Sequence, residues 1–289
     1  MSSSKIDEST VYDLVGLGFG PANLAVAGAI VERRSSTSSG LFPIRKALFI
    51  EKHDRFRWHP GMLLPDARMQ ISFMKDLATL RNPQSPITFL SYLHSQNRLV
   101  CFINKGSTIP SRKEYADYLS WAAQYVQNHG IDILYGHEVI ALSRGRKTST
   151  INVRCQNLIT GDYRVFRARD VIISPGGNAQ IPDSLSPISE HPFVIHSSVY
   201  ATSIDLVLES FRTSSNRPLH IAVIGSGQSA AEVTLDLRDR LSTITSMYNH
   251  EIDMIVRKGS LKPSDDSPFV NEIFDPSCAH FHVTFLTFD

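Results

Sequence analysis

The chain has 289 residues, 42% of them hydrophobic and 20% charged, and a net charge of +1 at pH 7. This composition is typical of a folded globular protein of one large or two ordinary domains, and the near-zero charge argues against a general nucleic-acid-binding surface. No apolar run reaches the length of a membrane span, and the N-terminus lacks the apolar segment of a secretory signal. Cys101, Cys155 and Cys278 are far apart, which excludes a CxxC redox pair and a disulfide framework. We therefore expect a cytoplasmic protein.

A nucleotide-binding pattern lies near the N-terminus. The apolar run Val11–Leu17 predicts a buried parallel strand, and residues 22–31 predict a helix. The loop between them contains Gly18, Gly20 and Asn23, the last at the place of the usual third glycine. In such loops the first glycine permits a tight turn, the second lets the backbone approach a pyrophosphate, and the helix N-terminus offers N–H groups. The alternative is a glycine turn without a ligand.

The next predicted strand ends in an acidic residue. Residues 33–43 are rich in serine and predict an exposed loop, and residues 47–50 predict a buried strand that is followed by Glu51. A carboxylate at this point is placed to accept a hydrogen bond from a ribose hydroxyl. The spacing from Gly20 exceeds the usual ~20 residues, and the serine-rich insertion accounts for the excess.

The middle of the chain predicts an ordered loop followed by a helix and strands. Residues 58–88 contain several prolines and no clear period; a helix is then predicted over 112–127, and strands over 131–134, 139–142, 151–154 and 165–173. The loop contains Trp58, His59, Gln70 and Lys75, which could line a flavin ring, and Lys75 could pair with a substrate carboxylate. The alternatives are core packing for Trp58 and Met69 and a surface position for Lys75.

A second glycine-rich loop follows residues 206–218, a polar stretch that predicts a domain boundary. Residues 219–224 predict a strand, and Gly225, Gly227 and Ala230 repeat the spacing of the first loop. Ser226, Gln228 and Ser229 add side-chain donors for phosphate. The next predicted strand, 252–256, ends in Arg257 and Lys258. A basic residue there suits a 2′-phosphate and favours NADPH over NADH, whereas the alternative is a solvated basic loop.

Two such units predict an α/β fold with two Rossmann-like dinucleotide-binding domains, one for FAD over residues 1–212 and one for NADPH over residues 213–289. A nucleotide-binding half requires a βαβαβ unit. Only residues 231–289 follow Ala230, so we expect the second domain to be incomplete, with an atypical tail at 277–289. The eleven histidines include no HExxH, and the pair His280 and His282 has no convincing ligand spacing, so we predict no metal site.

Five segments together resemble the flavin-dependent N-hydroxylating monooxygenases of siderophore biosynthesis, and most strongly those that act on ornithine. The resemblance covers residues 11 to about 276 in order, and its motifs are more specific than a GxGxxG loop. The segments are DLVGLGFGPANLA at 13–25, WHPGM at 58–62, MQISFMKDLATLRNP at 69–83, VIGSGQSAAE at 223–232 and KPSDDSPFVNEIF at 262–274.

The resemblance implies roles for residues at matching positions. It places residues 51–59 (Glu51, Trp58 and His59 among them), Gln70 and Val139 against FAD. It assigns Lys75 and the run Asn271, Glu272, Ile273 and Phe274 to the amino-acid substrate. It assigns NADP contacts to Met69, Arg112, Ser226, Gly227, Gln228, Ser229 and Arg257.

The implied reaction is hydroxylation of the side-chain amine of L-ornithine by O₂, with FAD reduced by NADPH. The cofactor performs the difficult step, and the protein orients the neutral amine and excludes water, so no acid–base catalytic residue is expected. Relatives in the family continue well beyond residue 276, whereas the tail after it resembles nothing in them. Two alternatives therefore stay open: an inactive, truncated remnant of such an enzyme, and a related enzyme acting on lysine or another amine. A homo-oligomer is also compatible with the sequence.

Overall fold

The computed structural model describes residues 6–36, 43–144, 149–214, 218–244, 249–257 and 261. These residues form two compact units. The first unit consists of segments 1–58 and 68–178, and the second of segments 59–67 and 179–289. Within the described residues, no helix is both long and apolar enough to cross a membrane.

The first unit contains a six-stranded sheet in which four strands are parallel. The strands are β1 (Val11–Leu17), β2 (Ala47–Ile50), β3 (Asp132–Leu134), β4 (His137–Arg144), β5 (Ile151–Asn157) and β6 (Tyr163–Ile173), in the order β3-β2-β1-β6-β5-β4. β3, β2, β1 and β6 pair in parallel, and β5 and β4 extend the sheet in antiparallel fashion. β2 is buried along its whole length, as a central parallel strand must be.

The described part of this unit contains four α-helices: α1 (Pro21–Ser36), α2 (Phe89–Ser95), α3 (Leu99–Asn104) and α4 (Arg112–Asn128). α1 and α4 pack on each other and enclose the main hydrophobic cluster, which includes Leu24, Phe49, Tyr118 and Leu119. α4 has the predicted bounds to within one residue, whereas α1 extends beyond its predicted end into the serine-rich stretch. Residues 58–88 contain only short 3-10 turns, at Pro60–Met62 and Phe73–Lys75, so the predicted ordered loop is confirmed.

The second unit contains a parallel pair of strands covered by helices. Its elements are 3-10 turns at Asp183–Ile188 and Ser197–Val199, α5 (Tyr200–Ser214), β7 (His220–Ile224), α6 (Gln228–Ser242) and β8 (Glu251–Ile255). β7 and β8 pair in parallel, which gives the predicted strand–loop–helix–strand order. The described part of this unit contains two strands of the sheet. The predicted α/β class is confirmed.

The compact units differ from the predicted division at residue 212. Tyr200, Ile204 and Leu208 on α5 share a hydrophobic cluster with Val223 and Leu237, because α5 buries its apolar face against the β7–α6 unit. Residues 206–214 of the predicted boundary stretch 206–218 are helical and belong to α5. The assignment of one segment to FAD and the other to NADPH stays a prediction.

The Glu32 carboxylate on α1 forms hydrogen bonds with the loop before α2. Glu32 accepts two hydrogen bonds from the Arg81 guanidinium, at 2.6 and 2.9 Å, and one each from Asn82 and Ser85. Hydrogen bonding to Arg81 lowers the pKa of Glu32 from 4.5 to about 2. A carboxyl group whose pKa is lowered by folding stabilises the protein above its unfolded pKa, and that contribution disappears as the pH falls through the folded value.

We expect Glu32→Gln to reduce the free energy of unfolding by about 2 kcal/mol at neutral pH, after allowance for the solvent exposure of Arg81. The difference from wild type should persist down to about pH 4.5 and shrink between about pH 4.5 and 2. Urea denaturation of both proteins across this pH range measures it. A difference that is constant with pH would show that the Glu32 charge contributes nothing.

Candidate functional site

The carboxyl ends of four parallel strands meet at one edge of the first sheet. Leu17 at the end of β1 is in register with Ile50 on β2 and Ile173 on β6, and Ile50 is in register with Leu134 on β3. Parallel strands bring the loops after them to the same edge, where α/β proteins bind their ligands. Gly18, Glu51 and Ser174 follow three of these strands directly and therefore lie close together.

Gly18 is required both by its backbone conformation and by its surroundings. Its φ is +81°, in the left-handed region, and its N–H donates to the Ile50 carbonyl at 2.8 Å. A Cβ at this position would lie 2.5 Å from the carbonyl oxygen of Ser174. A side chain is therefore excluded by strain and by the close approach of the β6 end.

Asn23 stands inside the turn and is fully buried. Its side-chain amide donates to the carbonyl oxygens of Leu17 at 3.2 Å and Gly18 at 2.7 Å. Its side-chain oxygen accepts a hydrogen bond from the Ser174 hydroxyl at 3.3 Å. The residue that takes the place of the third glycine is thus bonded to the strand end and the turn itself.

Glu51 is nearly buried and links the turn to the segment after β2. One carboxylate oxygen accepts from the Phe19 N–H at 2.7 Å, and the other from the His53 N–H at 3.0 Å. The start of β4 lies beside Glu51, where the His137 N–H donates to the Glu51 carbonyl at 3.0 Å. Val139, two residues further along β4, is partly buried. Each carboxylate oxygen has two lone pairs, so Glu51 retains capacity to accept from a ribose hydroxyl.

The residues present fit the diphosphate of a dinucleotide. Among the described residues, no atom lies within 4 Å of the position that a Cβ would take at Gly20, apart from its chain neighbours. The first intrahelical bond of α1 runs from the Leu24 N–H to the Gly20 carbonyl. The N–H groups of the first helical turn have no intrahelical acceptor, so they and the helix dipole are available to an anion beside Gly20.

Several other predicted site residues gather around the N-terminus of α4. The backbone of residues 68–73 contacts that of residues 108–111, where the Met69 N–H donates to the Pro110 carbonyl at 3.0 Å. The Tyr115 hydroxyl donates to the Lys75 carbonyl at 3.4 Å. The rings of Trp58 and Tyr115 are 5.6 Å apart. The structure therefore brings Trp58, Met69, Lys75 and Arg112 together. Lys75 and Gln70 are exposed, whereas Trp58 and Met69 pack partly against the main hydrophobic cluster, as the core-packing alternative requires.

His59 follows Trp58 directly in the sequence and belongs to the segment assigned to the second unit. It is exposed, has a φ of +43° and precedes the turn Pro60–Met62. A positive φ is uncommon for residues other than glycine, and histidine is one of the few residue types enriched there.

Asp76 is an organising residue that the sequence predictions did not include. One of its oxygens accepts from the N–H groups of Ala78 and Thr79, at 2.9 and 2.6 Å. The other accepts from the Thr79 hydroxyl at 2.8 Å and the Phe89 N–H at 2.6 Å. The signal in the sequence is the pattern Asp-x-x-Thr, in which a short acidic side chain closes the turn after it.

The second glycine loop and Arg257 lie at one edge of the two-stranded sheet, because Ile224 and Ile255 are in register. The Gly225 N–H donates to the Ile255 carbonyl at 3.0 Å, and Gly225 has a φ of +142°. Gly227 and Ser229 are exposed, Ser226 and Gln228 are partly exposed, and Arg257 is exposed. Gln228 donates to Glu232 at 2.7 Å, which directs that amide along α6 rather than toward the loop.

Some predicted residues lie outside the described part of the chain. They are Asn271, Glu272, Ile273, Phe274, Lys258, His280 and His282, together with the tail 277–289. Their assignments stay predictions.

Comparison with known proteins agrees with this arrangement. The family model of L-lysine 6-monooxygenase/L-ornithine 5-monooxygenase matches residues 10–286. The chain belongs to this family. The resemblance seen in the sequence motifs is thereby confirmed, and the match includes both glycine loops.

Among curated proteins, the L-ornithine N(5)-monooxygenase of Coprinopsis cinerea is 61% identical over 270 residues, which are 93% of this chain and 49% of that protein. The solved ornithine hydroxylase of Pseudomonas aeruginosa matches with a TM-score of 0.75 and 38% identity, over 93% of this chain and 60% of its own. The ornithine N-hydroxylase of Kutzneria sp. 744, described with reduced FAD, NADP⁺ and L-ornithine, matches with a TM-score of 0.72 and 35% identity, over 93% of this chain and 59% of its own. The chain spans about half the length of the curated relatives it matches.

Proposed function

We propose that this chain binds FAD at the Gly18 loop and NADPH at the Gly225 loop and serves the N5-hydroxylation of L-ornithine in hydroxamate siderophore biosynthesis. The observation that carries the proposal is the Gly18 loop itself. At this loop, the space beside the Gly20 backbone is open, the N-terminus of α1 begins, and the Glu51 carboxylate lies at the same edge of the sheet. The chain that carries the loop is 61% identical to an L-ornithine N(5)-monooxygenase. FAD, when bound and reduced by NADPH, supplies the activation of O₂ and the transfer of one oxygen atom to an amine.

The residues of this chain bind and orient the reactants. Gly18 and Gly20 bring backbone close to the diphosphate, and Glu51 accepts from a ribose hydroxyl. Lys75, exposed at the end of a 3-10 turn, pairs with the substrate carboxylate. Arg257, exposed after β8, favours the 2′-phosphate of NADPH. In this proposal, Asn271 to Phe274 also contact the substrate. The proposal further includes a cytoplasmic location and assembly into a homo-oligomer.

The test separates cofactor binding from turnover. The purified chain is titrated with FAD by quenching of flavin fluorescence, and product is then measured by mass spectrometry with NADPH, O₂ and either ornithine or lysine. We expect FAD binding and an ornithine-dependent hydroxylated product. FAD binding without any product would favour the alternative of an inactive remnant, and absence of FAD binding would overturn the proposal. Faster turnover of lysine would reassign the substrate within the same family.

We expect Lys75→Met to raise the KM for ornithine at least about tenfold, because a charge-assisted bond to the substrate carboxylate is lost. Affinity for FAD and thermal stability should stay at wild-type values, since Lys75 is exposed. Lys113→Met, which removes another exposed lysine from the first turn of α4, is the matched control. Steady-state kinetics with varied ornithine measure the effect, and equal KM values for the two variants would rule out the assigned role.

A further inference from the structure

Asn23 connects four parts of the chain that meet beside the proposed diphosphate site. Its amide nitrogen bonds the carbonyl oxygens of Leu17, the last residue of β1, and of Gly18 in the turn. Its oxygen accepts from the Ser174 hydroxyl, directly after β6. Asn23 itself lies in the first turn of α1. One side chain thus holds the strand end, the turn, the helix start and the end of the neighbouring strand.

The glycine before the turn leaves room for this arrangement. A Cβ at Gly16 would lie 3.1 Å from the Asn23 amide nitrogen and would overlap the ring of Phe49. Asn23 is 0% exposed, and both ends of its amide group have bonding partners within the protein. Its side chain is therefore directed at protein backbone, away from any ligand beside Gly20.

We propose that Asn23 is a positioning residue that holds the Gly18–Gly20 turn against the end of β6 and so sets the backbone geometry that receives the diphosphate of FAD. It acts through the turn and does not touch the cofactor. The role rests on the proposed function, since it assumes that the dinucleotide binds at this loop. A glycine at the third position of the fingerprint supplies close packing only, whereas asparagine adds a bonded connection between segments 151 residues apart in the sequence.

The experiment compares three variants with a control variant that also removes buried contacts. Asn23→Ala removes all three bonds and keeps a good helix former. Asn23→Asp keeps the shape but turns the donor into an acceptor that faces two carbonyl oxygens, although an acidic residue is otherwise favourable in a first helical turn. Ser174→Ala removes one bond. The control is Ile87→Val, which loosens packing on α1 at Gly28, five residues along the helix from Asn23.

Two readouts are measured: the Kd for FAD by fluorescence titration, and amide hydrogen exchange of residues 17–20 and 171–174 in the apoprotein. We expect Asn23→Ala and Asn23→Asp to raise the Kd about tenfold or more and Ser174→Ala about threefold. Exchange should accelerate in both segments for these variants and stay at the wild-type rate for Ile87→Val. The double variant Asn23→Ala, Ser174→Ala should add little to Asn23→Ala, because the two residues share one bond.

The two readouts separate this inference from the proposed function. Absence of FAD binding to the wild-type chain would overturn the proposed function and the cofactor part of this inference, while exchange would still show whether Asn23 holds the turn. Wild-type exchange rates in Asn23→Ala would overturn the positioning role. A Kd for Ile87→Val that rises as much as that of Asn23→Ala would show that the effect reflects general loss of stability, and would also overturn it.

Discussion

Replacing Gly18 by alanine is expected to abolish retention of FAD and to destabilise the apoprotein by about 3 kcal/mol. A left-handed residue with a Cβ costs about 1–2 kcal/mol by itself. The new methyl group would also lie 2.5 Å from the Ser174 carbonyl oxygen, so the end of β6 has to shift away from β1. Because that shift opens the turn that receives the diphosphate, the Kd for FAD should rise at least about 100-fold.

Gly20→Ala is the matched comparison, since it adds the same methyl group two residues away. No described atom other than its chain neighbours lies within 4 Å of the new Cβ, and the φ of Gly20 lies outside the left-handed region. We therefore expect wild-type stability for apo Gly20→Ala, together with weaker FAD binding, because the methyl group occupies the space of the diphosphate. Urea denaturation of both apoproteins and fluorescence titration with FAD test the pair. Unchanged stability in Gly18→Ala would show that Ser174 does not constrain the turn.

The strands of the first sheet were predictable because their apolar runs are bounded by residues with strong local preferences. β1 ends at Leu17, directly before Gly18, and β2 ends at Ile50, directly before Glu51, and both ends agree with the sequence. The strands predicted at 139–142, 151–154 and 165–173 have longer bounds, since pairing continues into exposed and partly buried residues. The strand predicted at 131–134 is one residue shorter, Asp132–Leu134. Strand pairing depends on backbone hydrogen bonds, so composition marks its centre better than its ends.

The helices that were missed are short or polar. α2 and α3 have seven and six residues, too few for a helical period to emerge beside a proline-rich loop. The polar composition of residues 206–218 predicts a boundary, although the buried residues Tyr200, Ile204 and Leu208 of α5 recur at a spacing of four. That spacing is the signal of a helix with one apolar face, and it begins before the polar residues 206–218.

Residues of the candidate site were predictable where the motif itself is local, and not where their partners are distant in sequence. The positions of Gly18, Gly20 and Glu51 followed from the spacing of strand ends. The orientation of Asn23 did not, because its partner Ser174 lies 151 residues away. The clustering of Trp58, Met69, Lys75 and Arg112 depends on the backbone contact between residues 68–73 and 108–111, which no periodicity indicates.

Asp76→Ala should be the most destabilising single change in the loop that carries Lys75. The carboxylate accepts four hydrogen bonds, from Ala78, from both the backbone and the hydroxyl of Thr79, and from Phe89 at the start of α2. Its loss leaves three backbone donors in a partly buried region without their acceptor, for which we expect about 3–5 kcal/mol. The substrate loop also loses its fixed geometry, so turnover should fall together with stability.

Asp76→Asn and Asp117→Ala separate the acceptor role of Asp76 from a general effect of charge. Asparagine keeps one oxygen and can satisfy two of the four donors, so about 2 kcal/mol is expected. Asp117 is exposed on α4, and its removal should change the free energy of unfolding by no more than about 0.5 kcal/mol. Urea denaturation ranks the three variants. An Asp76→Ala protein as stable as Asp117→Ala would show that the loop is held without the carboxylate, by Tyr118, whose hydroxyl accepts from Leu77 at 3.2 Å and donates to Ile87 at 2.8 Å.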